Sequence, residues 1–103
     1  MIDTIFQALS DPNRRKLLET LRTGRRTAGE LSSLFAISAP AVSQHLRVLR
    51  DARLIDVEKR KTSRIYFIRK EGFADLKQYL DPFWDDHLSL LKTLAEDEER
   101  SRK

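Results

Sequence analysis

The chain has 103 residues, of which 40% are hydrophobic and 35% are charged, and it contains no cysteine. This length fits one domain with a limited core, to which oligomerisation would add buried area. The lack of cysteine excludes a disulfide framework, a thiolate metal site and a cysteine nucleophile. The composition is too polar for a membrane protein. The first residues lack the pattern of a signal peptide, so we expect a cytoplasmic protein.

Charge is distributed unevenly along the sequence. The formal net charge is +4. Residues 38–70 carry nine Lys and Arg against three Asp and Glu, whereas residues 81–99 carry one Lys against seven acidic residues. A basic surface and an acidic surface are therefore predicted. A basic surface suits a polyanion, although on charge alone an unevenly charged, solvated surface explains the pattern equally well.

Two helices are predicted in the first 24 residues. Apolar side chains recur at helical spacing over residues 2–9, which indicates a short amphipathic helix. Ser10-Asp11-Pro12 then supplies a cap and a proline at the first helical position. A second helix is therefore predicted from about Pro12 to Arg22, where Gly24 ends it.

A capping box and a short turn predict a helix-turn-helix. The side chains of Thr27 and Glu30 can each bond the backbone amide of the other residue, which opens a third helix to about Ala36. Its inward side chains are predicted to be Leu31, Leu34 and Phe35. Only Ile37-Ser38 separates it from a fourth helix capped by Ser38, so the two helices must cross steeply.

The rest of the sequence predicts a hairpin and a long helix. The segments Leu54–Lys59 and Arg64–Arg69 are rich in Ile, Val, Tyr and Phe, and they flank a polar, basic tip at Arg60–Ser63. A last helix starts at Gly72, and Asp81-Pro82 either kinks it or begins a new one. Residues 96–103 are charged apart from one serine and are predicted to fray, which leaves a domain of residues 1–95.

Together these elements predict a mostly α protein with a small β-hairpin, in the order of four helices, two strands and a last helix. A helix-turn-helix followed by a basic hairpin is a winged helix-turn-helix.

The start of the fourth helix suggests what this fold binds. Residues 38–42 read Ser-Ala-Pro-Ala-Val, and arginines follow only later. The major groove leaves little room around the tip of a recognition helix, so short side chains let the tip enter deeply. Gln44 can pair with adenine, and an alanine methyl can touch the thymine methyl. Taken alone, these residues are better explained as an ordinary helix start, but the short turn, the arginines and the basic hairpin together favour DNA.

The predicted DNA contacts fall into two groups. Groups at base-edge height or at the helix tip are predicted at Ser38, Ala39, Pro40, Ala41, Ser43, Gln44 and Arg47. Cationic side chains that reach phosphate are predicted at Arg50, Lys59, Arg60, Lys61 and Arg64.

Apolar side chains outside the helix-turn-helix predict a partner surface. An exposed patch of this kind usually marks an interface, and a two-fold dimer would bury it. Its predicted members are Ile2, Ile5, Phe6, Leu9, Phe83, Trp84, Leu88 and Leu91. A dimer would set two recognition helices about one DNA turn apart, roughly 34 Å or a multiple of it, and would require a palindromic operator. The alternative is that both helices simply complete the core of a monomer.

Several stretches resemble the ArsR/SmtB family of winged-helix repressors, and most closely its metal-independent, autorepressor-like branch. The resemblance lies in FQALSDPNRRKLLETLRTG, TAGELSSLFAISAPAVSQHLRVLRDARLI, RIYFI and DPFWDDHL, and it extends to about residue 95. It implies a homodimer that binds an operator near its own gene and blocks transcription, without a cofactor. By the family pattern, DNA would meet residues 39–41, Ser43, Gln44 and the wing residues Arg60, Lys61 and Arg64.

The chain departs from the family pattern at two glycines. Relatives commonly have glycine where Arg53 stands and at the wing tip, where this chain has Lys61-Thr62-Ser63. Glycine accepts positive φ at little cost. Arg53 is therefore expected to be strained, or the helix to end differently, and a longer wing turn is expected.

The resemblance also raises the question of metal sensing. A cysteine pair of the family would fall on Thr27 and Gly29, neither of which is a thiolate ligand. A second family site is half preserved in Asp85 and His87, which leaves a metal-responsive repressor as an alternative. His45 is predicted to be a packed helix residue.

Other functions are less well supported by the sequence. No convergent catalytic set is visible, so an enzyme is not predicted. A winged-helix module that binds an acidic protein remains an alternative to DNA binding, and an inducer stays unknown.

Overall fold

The computed structural model describes the backbone of residues 2–101 and the side chains of residues 2–83 and 91–96. In chain order the elements are α1 (Ile2–Leu9), α2 (Pro12–Arg22), β1 (Arg26–Thr27), α3 (Ala28–Leu34), α4 (Ala39–Asp51), β2 (Ile55–Arg60), β3 (Ser63–Ile68) and α5 (Lys70–Ser101). The predicted winged helix-turn-helix is confirmed. Within the part of the chain that is described, no helix is long and apolar enough to cross a membrane.

Local capping explains where the first two helices meet. The cap of α2 is Asp11 and not Ser10: Asp11 Oδ1 accepts hydrogen bonds from the backbone N–H of Asn13 at 2.7 Å and of Arg14 at 3.3 Å. Pro12 occupies the first turn, where its missing N–H costs nothing. The second helix therefore has the predicted bounds.

The helix-turn-helix is formed by α3 and α4. The predicted capping box is confirmed, since Thr27 N–H donates to Glu30 Oε1 at 3.0 Å and Glu30 N–H donates to Thr27 Oγ1 at 3.1 Å. Hydrogen bonds from the Thr27 backbone and side chain lower the pKa of Glu30. Ser38 caps α4 by accepting from Ala41 N–H at 3.3 Å.

The end of α3 differs from the prediction. The helix ends at Leu34, and Phe35 has an extended backbone. Phe35 packs against the core, whereas the side chain of Leu34 is 60% exposed. Leu34 was therefore wrongly predicted to point inward. The helix ends at Leu34, two residues before its predicted end, and the extended Phe35 takes the inward position.

The core lies between α1, α2, the helix-turn-helix and the inner face of the sheet. No polar or charged side chain is buried in it among the described residues. Its buried members are Ile5, Ala8, Leu17, Leu18, Leu21, Leu31, Val42, Leu46, Leu49, Ala52, Leu54, Ile55 and Tyr66.

The sheet has a third strand that the sequence did not predict. β1 pairs antiparallel with β3, which pairs antiparallel with β2, so the strand order is β1-β3-β2. β1 has only two residues, too few for any periodicity to show. The hairpin of β2 and β3, residues 55–68, is the wing. Arg60 pairs with Ser63 across a two-residue turn, so the expectation of a longer wing turn was wrong.

Both expected glycine positions carry a residue with positive φ. φ is 62° at Arg53 and 53° at Lys61. The left-handed region costs a residue with a Cβ roughly 1 to 2 kcal/mol. At Arg53 the turn is held by Leu54 N–H, which donates to Leu49 O at 3.1 Å, and by an ion pair of 3.6 Å to Asp75. The expected strain at Arg53 is confirmed.

The last helix begins at Lys70, two residues before its predicted start, and Pro82 lies inside it without ending it. The backbone is helical through Ser101, and the domain boundary at residue 95 with a frayed tail stays a prediction. In the first turn of this helix, Gly72 lies in close contact with Arg53. Gly72 N–H donates to Arg53 O at 2.8 Å, and a Cβ at Gly72 would lie 2.4 Å from that oxygen.

Gly72→Ala should therefore destabilise the protein by about 2 to 3 kcal/mol, because a backbone atom of the strained turn would have to move. Gly29→Ala is the matched control. Its Cβ would have Thr27 Oγ1 as nearest neighbour at 3.9 Å, an ordinary contact, so it should be neutral or stabilise by up to about 1 kcal/mol. Urea unfolding followed by circular dichroism measures both. Equal stabilities of the two variants would contradict the proposed close packing at residue 72.

Candidate nucleic-acid interface

The two faces of α4 are separated as a recognition helix requires. Val42, Leu46 and Leu49 are buried against the core. On the opposite side, Ser43, Gln44 and Arg47 are all exposed. The 3.6-residue period produces this division, since the three apolar side chains recur one turn apart.

The tip of α4 is open to solvent. Ser38, Ala39 and Pro40 are exposed, and Ala41 is half-buried. The hydroxyl of Ser38 is used as the helix cap, which leaves the short side chains after it as the protruding surface. No described side chain longer than proline stands at this tip.

A groove of about 540 Å³ separates α4 from the wing. It brings the wing residue Arg64 to the same place as the recognition helix. Its lining residues are Pro40, Ser43, Gln44, Leu46, Arg47, Arg50, Arg64 and Tyr66. Six of the predicted DNA-binding residues, Pro40 among them, thus share one concave surface.

The register of the wing sorts its cations onto two faces. Lys59 pairs with Arg64, and Arg60 pairs with Ser63. Side chains of directly paired residues share a face, and successive residues alternate. Arg64 and Tyr66 line the groove, so Lys59 belongs to the groove side, whereas Arg60 belongs to the opposite side.

Ion pairs divide the predicted DNA-binding cations into a paired and an unpaired set. Arg50 Nε lies 3.8 Å from Asp56 Oδ1, and Arg60 Nε lies 3.3 Å from Glu58 Oε1. Among the described side chains, none of the other predicted DNA-binding cations has a carboxylate within 4.0 Å. These unpaired cations are Arg47, Lys59, Lys61 and Arg64.

Unpaired cations at these positions cost stability in the free protein. Lys59 and Arg64 face each other directly across the hairpin, and like charges in that arrangement repel. A polyanion in the groove would remove the repulsion. The arrangement is therefore suited to bind negative charge and poorly suited to a purely structural role.

The outer face of the wing holds a cluster that the sequence did not predict. Arg25 NH1 lies 3.3 Å from Glu58 Oε2, and its guanidinium lies 4.2 Å above the Phe67 ring. Arg25 precedes β1, so only the third strand brings it to the wing. Glu58 thus binds Arg25 and Arg60 on the side away from the groove.

The predicted partner surface is partly corrected. Ile5 is 1% exposed in the single chain, so it is a core residue and cannot meet a partner. Ile2 and Leu9 are half-buried and pack against the core. The periodic pattern identified the apolar face of α1 but not the depth of each residue.

Aromatic rings join α1 to α5 next to that surface. Phe6 packs edge-on against Tyr79 with a centroid distance of 5.4 Å, and Tyr79 lies 5.7 Å from Phe83. Phe83 is 63% exposed, and Leu91 is also exposed. Further exposed apolar side chains that the sequence analysis did not assign to the surface are Tyr79, Leu80 and Leu94. Trp84 and Leu88 lie outside the described side chains.

At Thr27 and Gly29, where the family has metal-binding cysteines, the side chains of this protein do not suit a metal ion. Thr27 Oγ1 accepts a hydrogen bond within the capping box, and Gly29 has no side chain to offer. No group of three or more His, Asp or Glu among the described side chains could hold a metal ion. Asp85 and His87 fall outside those side chains.

Comparison with known proteins identifies the family. Residues 11–57 match the profile of the bacterial regulatory proteins of the arsR family. The chain is 41% identical over 96 residues to the HTH-type transcriptional regulator Rv2034 of Mycobacterium tuberculosis, covering 93% of this chain and 90% of that protein. The protein belongs to the arsR family.

Two further proteins agree with this assignment. The transcriptional repressor SdpR of Bacillus subtilis is 42% identical over 66 residues, which cover 64% of this chain and 72% of that protein. The crystal structure of an ArsR family transcriptional regulator, RHA00566, superposes with a TM-score of 0.77 at 33% identity and covers 85% of this chain and 91% of that chain. This arsR-family protein is therefore a DNA-binding transcriptional regulator and not an enzyme.

Proposed function

We propose that the protein is a homodimeric repressor that binds a palindromic operator near its own gene, without a resident metal. The observation that supports this best is the groove between α4 and the wing. It combines hydrogen-bonding groups at Ser43 and Gln44 with the unpaired cations Arg47 and Arg64. A protein partner could use the charge, but side chains at base-edge height favour duplex DNA.

In this proposal α4 enters the major groove with its tip foremost. Residues 39–41 are small or rigid, so the helix backbone can approach the base edges. Gln44 donates to and accepts from one adenine, whereas Arg47 lies a turn further along and reaches a base or a phosphate. Sequence is read at Ser43 and Gln44.

The wing is proposed to hold the DNA backbone. Three wing cations have no carboxylate partner among the described residues: Lys59, Lys61 and Arg64. These side chains can bind phosphate without first breaking an ion pair. Arg50 and Arg60 must exchange Asp56 and Glu58 for phosphate. We therefore expect the three unpaired cations to contribute more to affinity than Arg50 and Arg60.

We infer that the protein represses transcription, because a protein bound to a stretch of DNA excludes other proteins from it. A dimer seated on an operator beside a promoter blocks access of other proteins to that DNA. The relative from Bacillus subtilis is named a transcriptional repressor, which supports the direction of regulation. The metal-independent form of the proposal is supported by Thr27 and Gly29, which stand where the family has cysteine.

The dimer is proposed to form through α1 and α5. Phe6 and Phe83 expose aromatic area beside Tyr79, and a single chain leaves this surface in water. Sedimentation equilibrium should report about twice the chain mass of 12.0 kDa. A mass of one chain at micromolar concentration would contradict the dimer.

The roles of Arg64 and Gln44 can be separated by one binding experiment. Affinity for the upstream region of the protein's own gene and for random duplex is measured against salt by fluorescence anisotropy. Arg64→Gln should weaken both complexes alike and reduce the salt slope by about one, because one phosphate contact is lost. Gln44→Ala should weaken only the specific complex, by about 1 to 3 kcal/mol.

Arg25→Gln is the matched control for charge. It removes one positive charge from the outer face of the wing, where Glu58 and Phe67 hold Arg25. It should leave the salt slope close to that of the unmodified protein. A protein that binds without salt dependence, and without preference over random duplex, would not have the proposed function.

A further inference from the structure

Two adjacent arginines of α2 hold the end of α1. Arg14 Nε donates to Ala8 O at 2.7 Å, and its NH2 donates to Gln7 O at 2.9 Å. Arg15 NH1 donates to Leu9 O at 2.6 Å. The last carbonyls of a helix have no partner within it, and a helix of eight residues is marginal alone. The two side chains therefore fix the end of α1 on α2.

Arg14 also contacts the recognition helix. Its NH1 lies 3.3 Å from Nδ1 of His45, which is 31 residues away in sequence. A guanidinium only donates hydrogen bonds, so Nδ1 must be the acceptor. The neutral ring consequently carries its proton on Nε2. One side chain thus ties α1, α2 and α4 together.

The backbone of Arg14 is fixed as well. Its N–H donates to Asp11 Oδ1 at 3.3 Å, as part of the cap of α2. Both Arg14 and His45 are partly buried, which protects their hydrogen bond from competition with water. The guanidinium therefore has a defined place from which to act on α4.

A directional contact refines what the apolar contacts of α4 set. Val42, Leu46 and Leu49 turn one face of the helix to the core, but hydrophobic contact has no direction and permits small rotations about the helix axis. A hydrogen bond fixes an angle as well as a distance. His45 precedes Leu46 and follows Gln44, so holding its ring restrains the rotation that the apolar contacts leave free.

We propose that Arg14 is a positioning residue for DNA recognition, which acts through His45 on the direction in which α4 presents Gln44 and Arg47. This inference rests on the proposed function. Arg14 also binds the carbonyl of Gln7, next to Phe6, whose ring packs on Tyr79 of α5. Arg14 accordingly lies between the proposed dimer surface and the recognition helix.

The tautomer of His45 is a direct spectroscopic test. Nitrogen-15 NMR of the full chain at a pH where the ring is neutral should show an unprotonated Nδ1 and a protonated Nε2. Arg14→Lys should change the populations of the two tautomers, because the donor at Nδ1 is displaced. A ring that carries its proton on Nδ1 in the unmodified protein would overturn the inference.

The positioning role is tested by discrimination between specific and random DNA. Arg14→Lys keeps the charge but cannot span the same three acceptors, so specific affinity should fall about tenfold, the equivalent of one charge-assisted hydrogen bond. Affinity for random duplex should stay the same, since phosphate contacts need no particular rotation of α4. His45→Ala should give the same loss without removing any bond to α1. The double variant should lose no more than either single variant.

Arg15→Lys is the matched control, because Arg15 also binds the end of α1 but makes no described contact with α4. It should keep the discrimination of the unmodified protein. The inference fails if Arg14→Lys and His45→Ala also keep it, or if Arg15→Lys loses it to the same extent. If the unmodified protein shows no preference for the specific duplex over random duplex, the proposed function is overturned, and the inference with it.

Discussion

The left-handed turn at Arg53 is the constraint on which the geometry of the groove depends. This residue follows the end of α4 and directs the chain into the wing, and its carbonyl accepts the N–H of Gly72 from the first turn of α5. Arg69 N–H closes the same junction by donating to Leu54 O at 3.0 Å. The turn therefore sets the wing beside α4 and holds the first turn of α5 close to the end of α4. Only a residue without a Cβ at position 72 allows this approach, so glycine is needed there and not at the strained position itself.

Given that frame, electrostatics decides which cations are available to DNA. Acidic residues of the wing, Asp56 and Glu58, bind arginines at its base and on its outer face. The groove side keeps Lys59 and Arg64 opposite each other without a described carboxylate partner. Surface ion pairs contribute little to stability, but here they remove competing positive charge from the rest of the wing. Arg50 is the one groove-lining arginine among the described residues that is paired in this way, and Arg47 and Arg64 keep their positive charge free for DNA.

Much of this fold could be predicted because its signals are local. Pro12, the box of Thr27 with Glu30, and the cap at Ser38 each act within four residues, and the structure places each as expected. β1 could not be predicted, since Arg26–Thr27 is a strand only through its pairing with β3. Periodicity finds the face of a residue but not its depth, which explains the errors at Ile5 and Leu34. The exposed side of α4 was predictable from spacing, whereas the ion pairs of Arg50 and Arg60 follow from strand register. The contact of Arg14 with His45 joins distant segments and left no signal in the sequence.

The central claim is that one surface, formed by residues 38–47 of the helix-turn-helix and 59–64 of the wing, receives duplex DNA. An NMR titration of the labelled full chain with the duplex from its own upstream region tests it most directly. The account predicts that the largest amide and side-chain shift changes occur in these two segments, with the Gln44 side-chain amide among them, and that β1 and Glu58 change little. Changes confined to α5, or equal changes on both faces of the wing, would contradict it.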